Sequence, residues 1–364
     1  MERRLFLGAG LGAAAARAAE QNIGVGMIGV GNRGAHVLGV IMEQPNIKVA
    51  SLCDIKPDRL DKAATLASKH NPITVSDYRK LIERSDVNAV FIDAPCDLHV
   101  EMAIAALKAG KHIYCEKPVG ITAASIAQLL KEAQGSKAVF CVGQQMRSFP
   151  QLKKTISRIH DGILGQPVFV KAQRHSSFDL DHSGPSADWF FNAKRSGDVL
   201  VEMAVHNLDA CNWAVGAHPE RASGFGGTLI WKNDPPGRTN MDGYTLSYDY
   251  ANGVKLSFTQ NFFHPSGLPN GGQYTHVYGT KGAVSLDTFT FYSIEKGARP
   301  MVLAEPEKER DAPHVAAFFE SIRTGAKSPA DLTVGATAAL TAILGREAIY
   351  SGNVTTWKDL KVSL

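Results

Sequence analysis

Residues 23–34 read IGVGMIGVGNRG, an apolar run that ends in the pattern Gly29-Val30-Gly31-Asn32-Arg33-Gly34. The run reads as a short buried strand over 24–30, and a helix-like segment follows over 35–43. Each glycine has a reason. The first allows a tight turn, the second lets backbone approach a pyrophosphate, and the third lets helix and strand sit close together. The N–H groups at the start of the helix then face the phosphates. A glycine-rich turn alone is weak evidence, but a second apolar strand over 48–53 ends in Asp54, 20 residues beyond Gly34. An acid there is placed to bind ribose hydroxyls. The expected cofactor is therefore NAD, with Asn32 and Arg33 beside the glycines. Arg59 leaves room for NADP as the less favoured alternative.

The strand–helix alternation continues to about residue 145. Strands are expected over 89–93, 112–115 and 138–142, and helices over 57–69, 77–83, 98–109 and 123–133. Short apolar strands between amphipathic helices imply a parallel, doubly wound sheet, with ligand outside the strand C-termini. After Pro150 the pattern changes. A helix over 151–161 and a strand over 168–174 lead into a polar stretch over 175–195. A helix is expected over 198–214. Strands then follow over 222–231, 244–250, 254–263, 275–278, 283–286 and 290–294, and two helices over 314–324 and 334–351 close the chain. Sequential strands with short turns imply a large, mostly antiparallel sheet. The expected fold class is α/β: an N-terminal Rossmann domain over 21–146 and a C-terminal α/β domain over 147–364.

Residues 1–20 stand apart. Arg3-Arg4 precedes a small-residue apolar run, and Ala16-Arg17-Ala18 fits a small-x-small cleavage site. The order of these features is that of a twin-arginine export signal, so the expected location is periplasmic or otherwise exported by that machinery. The formal charge is +4. Three arginines against one glutamate in residues 1–18 account for +2, and +2 remains for the other residues. That balance offers no electrostatic footprint for nucleic acid or an anionic membrane. No segment after the first 20 residues reaches the ~18 apolar residues of a membrane span. The five cysteines show no metal spacing and read as small buried hydrophobes, so no metal is expected.

Two further stretches have chemical potential. Cys115-Glu116-Lys117-Pro118 closes the 112–115 strand, on the ligand side of such a sheet. A lysine there can stabilise negative charge on a substrate oxygen, although a solvated lysine beside a turn proline has the same letters. Later, Glu202 and His206 are four residues apart, on one face if the segment is a single helix, with Asp198 as its N-cap. A carboxylate one turn from a histidine can orient the ring as a general base. A surface pair and half of a metal site fit the same spacing.

Taken together, GVGNRG, Asp54, Ala94-Pro95-Cys96-Asp97-Leu98-His99, Glu116-Lys117-Pro118 and the carboxylate-x-x-x-His helix resemble the Gfo/Idh/MocA family of glucose–fructose oxidoreductases and inositol dehydrogenases. The resemblance covers essentially all of the chain after residue 20. It implies hydride transfer between a sugar or cyclitol carbon and nicotinamide. It assigns catalysis to Lys117 and His206, with Glu202 standing where the family has aspartate and holding the imidazole tautomer. Pro95, His99 and Glu116 would line the cofactor cleft. Arg147, His175, Trp189 and Asn207 are the substrate-side candidates, and Asp179, Asp181 and His182 are polar candidates in an irregular loop. Export adds a constraint, because free NAD is not expected outside the cytoplasm. The cofactor would travel with the folded enzyme and be regenerated in each cycle. This leaves a sugar oxidoreductase, a redox-neutral NAD-dependent glycosidase, or an idle binding protein, any of them a potential homo-oligomer.

Overall fold

The computed structural model describes residues 22–176, 187–269, 272–306, 308 and 311–364. The expected export signal and the candidates Asp179, Asp181 and His182 lie outside the described residues.

Six parallel strands form the first sheet: β1 (Ile23–Ile28), β2 (Ile47–Cys53), β3 (Ile73–Val75), β4 (Ala89–Ile92), β5 (His112–Cys115) and β6 (Phe140–Val142). Their order is β3-β2-β1-β4-β5-β6, so the order reverses between β1 and β4, and the crevice above that point takes the ligand. Every residue of β1 is buried, as a strand covered on both faces by helices requires. The helix after the glycine turn spans Asn32–Met42, three residues earlier than its apolar periodicity suggests. Asn32, Arg33 and Gly34 are thus its first turn.

The second sheet has nine strands: β7 (Pro167–His175), β8 (Pro219–Gly227), β9 (Gly243–Tyr250), β10 (Lys255–Asn261), β11 (Gln273–Gly279), β12 (Gly282–Ser285), β13 (Thr290–Ser293), β14 (Met301–Val302) and β15 (Thr355–Thr356). The order is β14-β13-β12-β11-β7-β10-β9-β8-β15. Only β7 and β10 pair in parallel; the other pairs are antiparallel. Strands β3, β14 and β15, of two or three residues each, are too short to show a period of two in the sequence. The inner face of this sheet packs under helices Val205–Val215 and Leu332–Ser351. The latter is long and apolar enough to cross a membrane by length and composition, but it is mostly buried within the protein. Its Arg346 donates to the carbonyls of Ile121 and Gly197.

Two features depart from the expected domain layout. Helix Ala312–Thr324 returns to the first domain, where Phe318 meets Phe91 edge-on at 5.4 Å and Val315 and Phe319 join the same core. The expected 198–214 helix is two: Val199–Met203 and Val205–Val215, joined at Ala204. All five cysteines are free and buried.

Candidate active site

At the glycine turn, Gly29 has φ +85° and a Cβ there would lie 2.5 Å from the Asp93 carbonyl; a Cβ on Gly34 would lie 2.1 Å from the Gly29 carbonyl. No other residue fits either position. Gly31 caps the helix without a side chain, so the first-turn N–H groups face the crevice uncapped. That is a cradle of the size and charge preference of a pyrophosphate. Asp54 lies beneath it, accepting from Val30 N and Lys56 N, each at 2.9 Å. Two accepted bonds leave lone pairs for ribose hydroxyls. The residues present therefore fit NAD.

Arg33 does not point at the cradle. Its guanidinium binds Glu116 Oε1 through Nε at 2.8 Å and Asp311 Oδ2 through Nη1 at 2.7 Å. Burial works against its charge, but Glu116 and Asp311 outweigh it and hold the group charged. The expected cofactor contact of Arg33 is thus a strut. It ties the nucleotide helix to the strand that presents Lys117 and to the segment before helix Ala312–Thr324. Glu116 is 4% exposed and also accepts from Lys117 N at 3.1 Å. Asp93, at the end of β4, went unnoticed in the sequence. Both its carboxyl oxygens are buried without partners among the described residues. Burial, followed by the charge of Glu116, pushes its pKa well above the usual carboxylate range.

Pro95 precedes a single 3-10 turn, Cys96–Leu98. The His99 ring nitrogens lie 2.7 Å from the Pro118 carbonyl and 2.8 Å from that of Ala94. His99 thereby staples the loop after β4 to the loop after β5. The Lys117–Pro118 bond is cis. Burial lowers the His99 pKa, against the pull of its two carbonyl partners.

Lys117 and Glu202 meet. Lys117 Nζ donates to Glu202 Oε1 at 2.6 Å and to the Glu202 carbonyl at 2.7 Å. An ammonium has three N–H groups, so one is left for a third partner. This corrects the expected role of Glu202, because the group bonded to His206 is Gln144: Nδ1 lies 2.9 Å from Gln144 Oε1. The reason is the break at Ala204, which removes the continuous i,i+4 geometry, together with the stronger pull of a cation on the carboxylate. Asp198 caps the start of helix Val199–Met203, with φ +73°. Its carboxylate accepts from Val199 N at 2.7 Å and Met241 N at 3.1 Å, and from the hydroxyls of Tyr244 and Tyr350.

The Gln144 amide oxygen only accepts, so Nδ1 of His206 bears the proton and Nε2 presents a lone pair. No hydrogen bond reaches Nε2 among the described residues. Burial, followed by the charges of Lys117 and Arg174, pushes the His206 pKa well below 6.5. The ring is neutral at neutral pH, the state a proton acceptor needs.

The substrate-side candidates separate. Asn207 is buried beside His206 and accepts from Arg174 Nη1 at 3.2 Å. Trp189 is half-buried on the short helix Ala187–Phe190, edge-on to Phe190. Its neighbour Asp188 reaches Lys56 of the first domain at 3.7 Å. Arg147 is committed elsewhere, bonded through Nε and Nη2 to Asp209 at 2.9 and 2.7 Å and lying over Trp213. His175 is on the outer face of the second sheet, 2.9 Å from Thr259 Oγ1. The residue before it, Arg174, faces inward. Gln144 and Arg174 were both missed: nothing local marks the first, and strict alternation of Val170, Ala172 and Arg174 would have found the second. Among the described residues no group of His, Cys, Asp and Glu is arranged to hold a metal ion.

Two family models match in tandem: an oxidoreductase family NAD-binding Rossmann fold over residues 23–144, and the Gfo/Idh/MocA C-terminal domain over residues 152–285. The chain belongs to the Gfo/Idh/MocA oxidoreductase family. It is similar to the 2,7-anhydro-N-acetylneuraminate hydratase of Mediterraneibacter gnavus, at 24% identity over 73% of this chain and 68% of that one. It is also similar to the inositol 2-dehydrogenase of Salmonella paratyphi B, at 30% identity over 52% of each. A levoglucosan dehydrogenase solved with NADH and levoglucosan shares the fold, with a TM-score of 0.80 and 21% identity, over 92% of this chain and 99% of that one. This Gfo/Idh/MocA protein is an NAD-binding oxidoreductase.

Proposed function

We propose that this protein oxidises a hydroxyl-bearing carbon of a sugar, glycoside or cyclitol, with Lys117 and His206 as the catalytic residues. The observation that supports this most is the pairing of a lysine that, among the described residues, keeps one N–H unused with a histidine whose Nε2 is unprotonated and, among the same residues, unbonded. Both stand at the carboxyl ends of the first sheet. When bound in the glycine cradle, NAD supplies the acceptor for two electrons and the carbon-bound hydrogen. His206 Nε2 takes the hydroxyl proton. Lys117 donates its remaining N–H to the same oxygen and stabilises the charge that gathers there. Glu202 positions the Lys117 ammonium, and Gln144 fixes the imidazole tautomer. Asp54 favours NAD over NADP, because a 2′-phosphate would meet a carboxylate.

The Arg3-Arg4 segment supports export with the cofactor already bound. A chain without access to free NAD must return it to its starting state. That requirement favours a redox-neutral variant, in which transient oxidation acidifies the neighbouring C–H, elimination or hydration follows, and re-reduction closes the cycle. One experiment tests the readings together. The protein is purified without added cofactor and denatured, and the supernatant is assayed for NAD; sugars, glycosides and cyclitols are then screened with no NAD supplied. Retained NAD and turnover without net reduction support the recycling enzyme. Absence of NAD together with net reduction only when NAD is added supports an ordinary dehydrogenase, and no turnover of any compound rejects the catalytic reading.

A further inference from the structure

Four inward-facing polar side chains cross the second sheet in register. Tyr244 of β9 pairs with Gln260 of β10, Gln260 pairs with Arg174 of β7, and Arg174 pairs with Gln273 of β11. Directly paired residues project from the same face of a sheet. The same face carries Val170, Ala172, Leu256 and Phe258, all buried along the same strands. A guanidinium in such a row normally has a carboxylate partner. Arg174 has none within 4 Å among the described residues. Its Nη1 donates only to neutral amide oxygens, Asn207 Oδ1 at 3.2 Å and Gln273 Oε1 at 3.0 Å. Among the described residues its Nε is buried without a partner, and no hydrogen bond reaches Nη2. Beside it, Gln260 is 1% exposed and both of its carboxamide atoms lack partners among the described residues.

Arg174 donates to Asn207, the residue after His206, and its charge helps to lower the His206 pKa, so it adjoins the reacting pair. Glu202 is already tied to Lys117. The Lys117–Glu202 pair is balanced within itself, which leaves Arg174 without a counter-ion among the described residues. An isolated buried guanidinium is unfavourable, and an incoming anion with matching oxygens relieves it. A single negative charge balances Arg174.

We propose that the substrate is a sugar acid, and that Arg174 binds its carboxylate through Nη2 while the ring hydroxyls meet Lys117 and His206. The inference rests on the reading of Lys117 and His206 as the reacting pair and adds the class of substrate they act on. Arg174 is then a specificity residue, one position removed from the base through Asn207.

The test uses the NAD-loaded protein and matched probes: D-glucuronate against D-glucose, D-galacturonate against D-galactose, and glucose 6-phosphate as the dianionic control. Binding is read by titration and turnover by the absorbance of reduced nicotinamide. The uronates should bind about tenfold or more tightly than their neutral parents, the scale of one charge-assisted hydrogen bond. Arg174→Gln should bring that ratio to about one with NAD content unchanged, and Arg174→Lys should keep part of it. Equal binding of acid and parent by the unmodified protein overturns the inference, as does a ratio that survives Arg174→Gln or a preference for the phosphate. Arg174-dependent uronate binding without turnover of any sugar leaves the anion site standing and rejects the oxidation reading. Turnover of neutral sugars with no preference for acids does the reverse.

Discussion

The two catalytic candidates make opposite demands on charge, and their surroundings meet both. Lys117 keeps its ammonium beside Glu202 at 2.6 Å, while His206 is desolvated and beside cations, so it stays neutral. Alkoxide character develops only as the reaction proceeds, so the Lys117 charge acts on the transition state more than on the bound alcohol. Lys117→Met should lower single-turnover rate by about two to three powers of ten while NAD affinity holds, the scale for loss of an oxyanion donor. An unchanged rate constant rejects the assignment. His206→Ala should cost roughly a hundredfold or more. The pH dependence follows from the same burial. A base works in its neutral form, above its pKa, and the His206 pKa lies well below 6.5. Activity should therefore persist as pH falls past 6.5 and decline only in more acid solution. A pH–rate profile with its acid limb at or above 6.5 would show that another group titrates.

At the scale of elements, the strand–turn–helix unit of β1 and helix Asn32–Met42 leaves no space for larger residues. Gly34→Ala places a methyl 2.1 Å from the Gly29 carbonyl, a backbone atom that cannot rotate away. Helix and strand must separate, at about 1–3 kcal/mol, and the cradle widens. The variant should show a lower Tm and lose NAD on gel filtration. Retention of NAD with an unchanged Tm would mean that the turn has slack. The break at Ala204 acts in the other direction. By dividing one expected helix into Val199–Met203 and Val205–Val215, it lets Glu202 turn to Lys117 while His206 faces Gln144. The sequence placed Glu202 and His206 near each other but paired them with one another. Its i,i+4 argument presumed a continuous helix, whereas the helix breaks at Ala204 and the true partners, Lys117 and Gln144, come from distant parts of the chain.

For the whole molecule, the outer face of the second sheet combines short polar side chains with exposed aromatics. Phe169 and Tyr278 lie 6.1 Å apart on β7 and β11, with Tyr292 farther along and Phe225 on β8. A broad sheet face with such a surface is suited to pairing with a second copy. We expect light scattering to give a mass that is a multiple of the chain's, and Tyr278→Lys with Phe169→Lys to shift it towards one chain with NAD content unchanged. A single-chain mass for the unmodified protein excludes this arrangement. Across the interior, Arg33 binds Glu116 and Asp311 at once, so the nucleotide helix, the lysine loop and the returning helix Ala312–Thr324 are held as one unit.

Local chemistry alone determined the nucleotide domain: an apolar strand, three glycines with steric reasons and an acid at the end of β2 are contiguous features, and period and spacing reveal them. The alternation of β7, β9 and β10 was legible for the same reason, since a sheet with one buried face imposes a period of two. Tertiary structure decided what no short window contains. Gln144 became the partner of His206, and Arg33 became a strut between Glu116 and Asp311. Each depends on which remote charge or carbonyl arrives at hydrogen-bonding distance. That is settled when the two domains close on each other, because an unmatched polar group buried there has no water to turn to.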